Sequence, residues 1–306
     1  MEKFEVNILG CGSALPTTRH LATSQVINIR EKLFMIDCGE GTQVQLRRSR
    51  LKFSRLNHIF ISHLHGDHCF GLMGLISTFG MLERTADLHI YCHSELQRLM
   101  EPQLEFFCKG GMPYDVIFHP INPGEQQVIY EDRSVSVETI PLRHRLPTCG
   151  FIFREKPTPN HIRRDMIDFY QIPIYMMNRI KNGENYVQED GTIIPNDRLT
   201  FPSDPPRTYA YCSDTVFLPR IAEQIKGANL LFHESTFVEA DKARAKQTLH
   251  STASQAAQIA KSANVRQLVI GHFSARYETE DQLLKEAQEV FPNTILANEN
   301  LKIEVL

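Results

Sequence analysis

The chain has 306 residues, 42% of them hydrophobic and 23% charged, with a formal net charge of −3. That length supports one large domain or two ordinary ones, and the charge argues against a basic nucleic-acid coat while leaving room for a local basic patch. Seven cysteines, an odd number without a C-x-x-C pair, argue against a disulfide framework and for a reducing, cytoplasmic setting. The opening MEKFEVNILGCG has too short an apolar run for a signal peptide, and no run approaches a membrane span.

In chain order, Phe4–Leu9 alternates at period two and ends at a glycine cluster, which predicts a strand. Further strands are expected at Ser24–Arg30, Leu33–Ile36, His58–Ser62, Leu88–Cys92, Ser134–Ile140, Thr148–Phe153, Tyr209–Ser213, Leu230–Phe232 and Gln267–Gly271. Helices are expected at Gly71–Leu82, Glu95–Phe107, Thr215–Ile225, Ala253–Ala263 and Glu280–Val290. Capping-box patterns open the last two, at Thr252/Gln255 and at Thr279–Gln282. Between the expected strands Thr148–Phe153 and Tyr209–Ser213 lies a different segment, 155–207, dense in Pro, Gly and charge. It predicts an inserted arm, and MIDFYQIPIYMM within it is too apolar for a disordered linker.

Several predicted strands end at a metal- or proton-handling residue: Asp37, His63, Asp214, His233 and His272. Residues just past strand ends gather at one rim of a sheet, so five of them imply one site on one rim. The run HLHGDH supplies most of its chemistry. In extended backbone His63 and His65 project to one side, and Gly66 permits a turn after which Asp67 and His68 face a second position. Imidazole plus carboxylate suits zinc, and also manganese or iron. Asp67 has a second available role, orienting or deprotonating a water. His144, Asp214 and His272 complete two ligand sets with Asp214 as a possible bridge.

This H-x-H-x-D-H run, followed by a later His, Asp and His, resembles the metallo-β-lactamase superfamily. The resemblance implies a four-layer αβ/βα sandwich with a two-metal site along one edge. MIDCGEGTQ, FISHLHGDHCFGL, YCSDT, HESTF and HSTASQAA are similar to the ribonuclease Z family across essentially the whole chain. That resemblance implies a zinc-dependent endoribonuclease that removes the 3′ trailer from transfer-RNA precursors. It leaves a 3′-hydroxyl on the transfer RNA and a 5′-phosphate on the trailer. Two Zn²⁺ per subunit are implied, with Mn²⁺ also suited to the ligands. His63, His65 and His144 would hold one ion, Asp67, His68 and His272 the other, with Asp214 between them. A metal-activated hydroxide would attack phosphorus. Glu234 and His250 would protonate the leaving oxygen; the alternative is a structural hydrogen-bonded pair. Asp37 and His233 are expected behind the ligands, Asp37 orienting a ligand histidine or merely forming a strand-to-loop turn with Gly39 and Gly41 supplying unusual backbone angles.

The resemblance also implies a homodimer in which the arm grips transfer RNA. Candidate RNA contacts are Arg19, Arg47, Arg48, Arg179, Lys181 and Arg276, with Ser274 beside the last. Two departures stand out: the arm tip reads QIPIYMMNRIKNGENY where bacterial relatives often have a Gly-Pro-rich tip, and Pro16-Thr17-Thr18-Arg19-His20 lacks the lysine of P-x-K-x-R-N. The competing function is another hydrolase of the superfamily, cleaving small phosphodiesters or esters; the least favoured is a non-catalytic RNA-binding protein with structural zinc.

Overall fold

The computed structural model describes residues 2–15, 17–108 and 111–306, so Pro16 of the N-terminal loop lies outside the described residues. The predicted strands assemble into two seven-stranded sheets. One runs, edge to edge, Lys302–Glu304, Phe4–Gly10, Ser24–Ile29, Lys32–Ile36, Leu56–Phe60, Leu88–Cys92, Val116–Pro120. The other runs Thr294–Leu296, Gln267–Gly271, Leu230–Glu234, Thr208–Cys212, Cys149–Glu155, Val135–Pro141, Val128–Glu131.

The sheets pack through large aromatic residues, as alternation at period two requires of faces that meet. Phe60 sits with its ring centroid 5.6 Å from Phe151 and 5.5 Å from Phe153, and Phe34 lies 5.8 Å from Phe153. On its outer face the first sheet buries Leu33, Met35, Ile59 and Ile90 with Leu75, Ile76 and Phe79 of helix Leu72–Met81 and Met100 of helix Ser94–Phe107. Helices Ala253–Ser262 and Asp281–Val290 bring Ala256, Ile259, Ala260, Leu283 and Ala287 into the core that contains the second sheet. The result is the expected αβ/βα sandwich. Within each sheet one group of strands is parallel: Lys32–Ile36 through Val116–Pro120, and Thr208–Cys212 through Thr294–Leu296. Parallel strands release their carboxyl ends on the same side, which is what gathers the rim residues.

Three local expectations need correction. The helix expected over Thr215–Ile225 is only Ile221–Gln224. Ahead of it the backbone is committed elsewhere: Thr215 N–H donates to Glu234, Val216 N–H to the Arg143 carbonyl, and the Thr215 carbonyl accepts from Ser251. The capping box forms at Thr252, where it contributes about 1 kcal/mol. It does not form at Thr279, because that helix starts at Asp281 and Glu280 is drawn to Arg19, 2.6 Å away. Gly41 has the expected positive φ of 84°, but Gly39 serves closeness instead: a Cβ there would lie 2.4 Å from the Asp67 carbonyl oxygen.

Residues Glu155–Pro206 form a compact unit of their own. It contains the two-stranded pairs His161–Ile162 with Thr200–Phe201 and Tyr186–Val187 with Ile193–Ile194, and helices Arg164–Phe169, Met177–Lys181 and Asn196–Leu199. Ile167, Ile172, Met176, Ile180, Ile194 and Leu199 are its core. Phe169, Ile174 and Tyr175 remain exposed.

Candidate metal centre and proton donor

The rim residues meet at the carboxyl ends of the parallel strands. Strand Leu56–Phe60 leads into Ser62 and His63, and the turn Gly66–Cys69 carries Asp67 and His68. Asp214 follows Thr208–Cys212, and His272 follows Gln267–Gly271. Asp37, Asp214 and His272 have φ of 56°, 54° and 62°. Left-handed backbone costs on the order of 1 kcal/mol at a non-glycine residue and clusters at functional sites. Here it turns three chain ends inward over a short distance.

The structure brings all seven expected ligands together. The ligand atoms of His63, His65, His144 and Asp214 lie within 4.8 Å of one another, as do those of Asp67, His68 and His272. Asp214 faces both sets with different oxygens. Its Oδ1 is 3.1 Å from His68 Nε2 and 3.2 Å from His272 Nε2, and its Oδ2 is 3.6 Å from both His63 Nε2 and His144 Nε2.

Hydrogen bonding at the far side of each ring decides which nitrogen faces inward. His68 Nδ1–H donates to Asp37 at 2.8 Å, and His144 Nδ1–H to the Leu249 carbonyl at 2.9 Å. His272 Nδ1–H donates to Thr236 Oγ1 at 2.9 Å, and His63 Nδ1–H to Ser62 Oγ at 3.1 Å. The two hydroxyls accept because each donates onward to an acceptor-only carboxylate, Thr236 to Glu234 at 2.6 Å and Ser62 to Asp37 at 2.9 Å. All four histidines therefore turn an Nε2 lone pair into the cluster, the arrangement that metal-binding imidazoles need.

Charge gives a second test of fit. Nε2 of His68 and of His272 are buried without a hydrogen-bond partner. His63 Nε2 and His65 Nδ1 are 2.9 Å apart; two lone pairs at that distance repel unless a cation or proton lies between them. Burial lowers the pKa of His63, His65 and His144, favouring the neutral, ligating form. Burial opposes ionisation of Asp67 and Asp214, yet neighbouring histidines outweigh it and hold both carboxyls well below the usual range. Burial works against a charged His68, but Asp214, Asp37 and Asp67 outweigh it and raise its pKa, so the ionised carboxylates draw positive charge to the place where a divalent cation would sit.

Asp37 accepts from Ser62 N–H at 2.8 Å, Ser62 Oγ–H at 2.9 Å, Tyr211 Oη–H at 2.7 Å and His68. Beside the cluster, the fully buried Glu234 accepts from Thr215 N–H at 2.8 Å, Thr236 Oγ1–H and His250 Nδ1–H at 2.8 Å. Burial works against a charged His250, but Glu234 outweighs it and raises its pKa to about 9. His233 stays apart from the ligand sets and donates Nδ1–H to the Glu234 carbonyl at 2.8 Å.

Ser62, Tyr211, Thr236 and the Leu249 carbonyl had no role assigned from sequence. Ser62 and Thr236 lie within motifs quoted for the family, so adjacency to a ligand or acid was the available signal. The Leu249 carbonyl left none.

A cavity of about 920 Å³ opens over the cluster and is also lined by Leu15, Phe70, Arg145, Arg244, Ser274 and Arg276. Arg276 lies 5.3 Å from the Phe237 ring. Arg19 is engaged by Glu280 and the Tyr277 carbonyl, and Arg179 by Glu184 at 2.7 Å. Arg47 and Arg48 are exposed at the end of helix Thr42–Arg48, and Lys181 is exposed on the arm.

Residues 4–160, just over half of the chain, match the family described as Anti-Pycsar protein Apyc1, and the chain belongs to that family over this span. A protein of Phocaeicola vulgatus named ribonuclease Z is 70% identical over 305 residues, covering 100% of this chain and 98% of its own. A ribonuclease Z of Bacteroides fragilis is 68% identical, covering 100% of both. The chain belongs to the ribonuclease Z family. Ribonuclease Z family members are endoribonucleases, and this one carries the donor clusters of a metal-dependent hydrolase. Solved structures agree with the fold. Human tRNase Z, short form, superposes with a TM-score of 0.71 at 24% identity, with 99% of each chain covered. The metallo-β-lactamase fold protein YhfI from Bacillus subtilis gives 0.67 at 17%, covering 99% of this chain and 100% of its own. No helix among the described residues of this ribonuclease Z family member is long and apolar enough to cross a membrane.

Proposed function

We propose that this chain is a zinc-dependent endoribonuclease that removes the 3′ trailer of transfer-RNA precursors, leaving a 3′-hydroxyl on the transfer RNA and a 5′-phosphate on the trailer. The names of its relatives support the substrate. The observation that carries the chemistry is the Glu234–His250 pair, 2.8 Å apart, beside two ligand sets that share Asp214.

His63, His65 and His144 would hold one ion, Asp67, His68 and His272 the other, with Asp214 between them. Two divalent ions in such a site bind phosphate oxygens and lower the pKa of water. Asp67, ionised at the cavity wall, orients the attacking water, and because its carboxyl is held well below the usual range the water's proton leaves to solvent rather than to Asp67. As the water oxygen bonds to phosphorus, the bond from phosphorus to the 3′ oxygen breaks. His250 donates its Nε2 proton to that oxygen, because Glu234 occupies Nδ1 and keeps the ring protonated near neutral pH. Glu234 itself is a positioning residue: its carboxylate is enclosed by four hydrogen bonds and completely buried.

The arm, 155–207, is an RNA-binding exosite in this reading, and the enzyme is a cytoplasmic homodimer. Its grip does not rest on net charge, since 155–206 holds eight acidic and six basic residues. Exposed Phe169 and Tyr175 offer stacking surfaces, with Lys181 available for phosphate.

The test is incubation of the pure protein, with zinc or manganese, with a transfer-RNA precursor carrying a 3′ trailer, followed by mapping of both ends. A cut at the discriminator nucleotide with a 3′-hydroxyl is expected. Intact precursor, or a cut elsewhere, defeats the reading.

A further inference from the structure

We propose that Phe70 is a stacking platform for the nucleobase next to the scissile phosphate; this rests on the RNA-cleaving reading of the site. Phe70 lines the cavity and is 75% exposed. A lone exposed phenyl ring is unremarkable on an open surface. This one lies within the wall of a site. A Cβ built on Gly66 would lie 2.3 Å from Phe70 Cε2 and 2.6 Å from both Cδ2 and Cζ. The ring therefore lies across the space that any other residue at position 66 would fill. Its backbone is fixed by the N–H of Phe70 donating to the Gly66 carbonyl at 2.9 Å. The ring lies beside the Gly66 turn and borders the cavity.

The wall around it has groups that complement an RNA strand. Phe70 is three residues beyond Asp67 on one helical turn, and such pairs lie about 5–6 Å apart at Cβ. A phosphate held at the ligand cluster thus leaves the adjoining base beside the ring. Arg145 and Arg244 line the same cavity and would complement the neighbouring phosphates, while Arg276 beside them is paired with Asp241 at 3.4 Å. Leu15, 68% exposed, adds a second apolar side chain to the wall. Every base has a π-face, so this contact favours an unpaired nucleotide over a paired one without selecting its identity.

The chain contains no tryptophan, so Phe70→Trp gives a single fluorescent reporter at this position. Fluorescein-labelled precursor RNA monitors binding by anisotropy in the same sample. Intact precursor is expected to quench the indole, while precursor abasic on both sides of the cut site binds with little quenching. Phe70→Ala is expected to lower kcat/KM for intact precursor about 5- to 100-fold and to change cleavage of the abasic precursor less than twofold. Binding without quenching overturns the proposal. So does equal quenching by both RNAs, or an equal loss for both in the alanine variant. Base-dependent quenching without cleavage leaves the platform standing and defeats the processing reading.

Discussion

The ligand rim and the arm solve opposite problems. At the rim, Asp37, Glu234 and the histidines are buried, and nearly every polar atom that does not face the cluster has a hydrogen-bond partner. The arm has a core of six buried apolar side chains and leaves Phe169, Ile174 and Tyr175 in solvent. A rim built this way specifies one geometry to fractions of an ångström, which metal binding and proton transfer require. An arm built that way leaves exposed aromatic and apolar area, which the proposed reading gives to a large substrate. Substitutions at the rim should therefore act on chemistry and metal content, and changes in the arm on the large substrate alone.

The largest expected effect is from Asp214→Ala, since that residue faces both ligand sets. Precursor cleavage should fall below detection and metal content, measured by plasma mass spectrometry, should drop. Full metal occupancy in this variant would remove Asp214 from the bridging role. Asp67→Ala should likewise abolish cleavage while precursor binding persists. His250→Ala comes next, with a loss of about 10²–10⁴-fold and metal content retained. The acid form of His250 is the active one, so wild-type cleavage should hold below its pKa and decline as pH rises through about 9. Glu234 is what raises that pKa, so Glu234→Gln should move the decline to lower pH; an unmoved profile would assign the limb to another group.

Deleting residues 160–200 probes the other side of the contrast. Precursor cleavage should fall about 10²-fold through lost simultaneous contact, with hydrolysis of bis(p-nitrophenyl) phosphate and metal content unchanged. Equal losses on both substrates would merge the two regions into one. Thr236→Val should cost about 10–100-fold and weaken metal binding in a chelator competition, because His272 loses the acceptor that fixes its tautomer; Thr236→Ser should restore both. Arg179→Ala should change precursor cleavage less than about threefold, its guanidinium being engaged by Glu184.

Much of this rim is legible in the chain because its residues come from strand ends, and those strands are visible as short apolar runs that stop at Gly, Asp or His. The ligand run is legible for a simpler reason: its members are adjacent in sequence. The supporting bonds are not. His272 meets Thr236 across 36 positions and His68 meets Asp37 across 31, and only the fold shows which hydroxyl or carboxylate backs which ring. Arg19 shows the converse failure. It looks available for phosphate, but Glu280, 261 positions away, takes its guanidinium. Strands Val116–Pro120 and Val128–Glu131 escape notice because they are partly exposed sheet edges that lack clean alternation. In the arm, the apolar content of MIDFYQIPIYMM signals order, but which of its members turn inward depends on helices too short to show a period.

One peptide unit has an effect beyond its size. Leu249, at φ 62° and ψ 47°, ends helix Lys242–Thr248, and its carbonyl receives His144 Nδ1–H while the next residue is His250. No side-chain replacement removes a carbonyl, so a scan by point substitution would pass over this position as tolerant. Removing or adding a single residue between 245 and 250 would slide the carbonyl and the imidazole together, misaiming His144 and His250, the proposed metal ligand and proton donor, in one event. Spacing, rather than side-chain identity, sets the geometry there, so a change of length should harm the site more than a substitution.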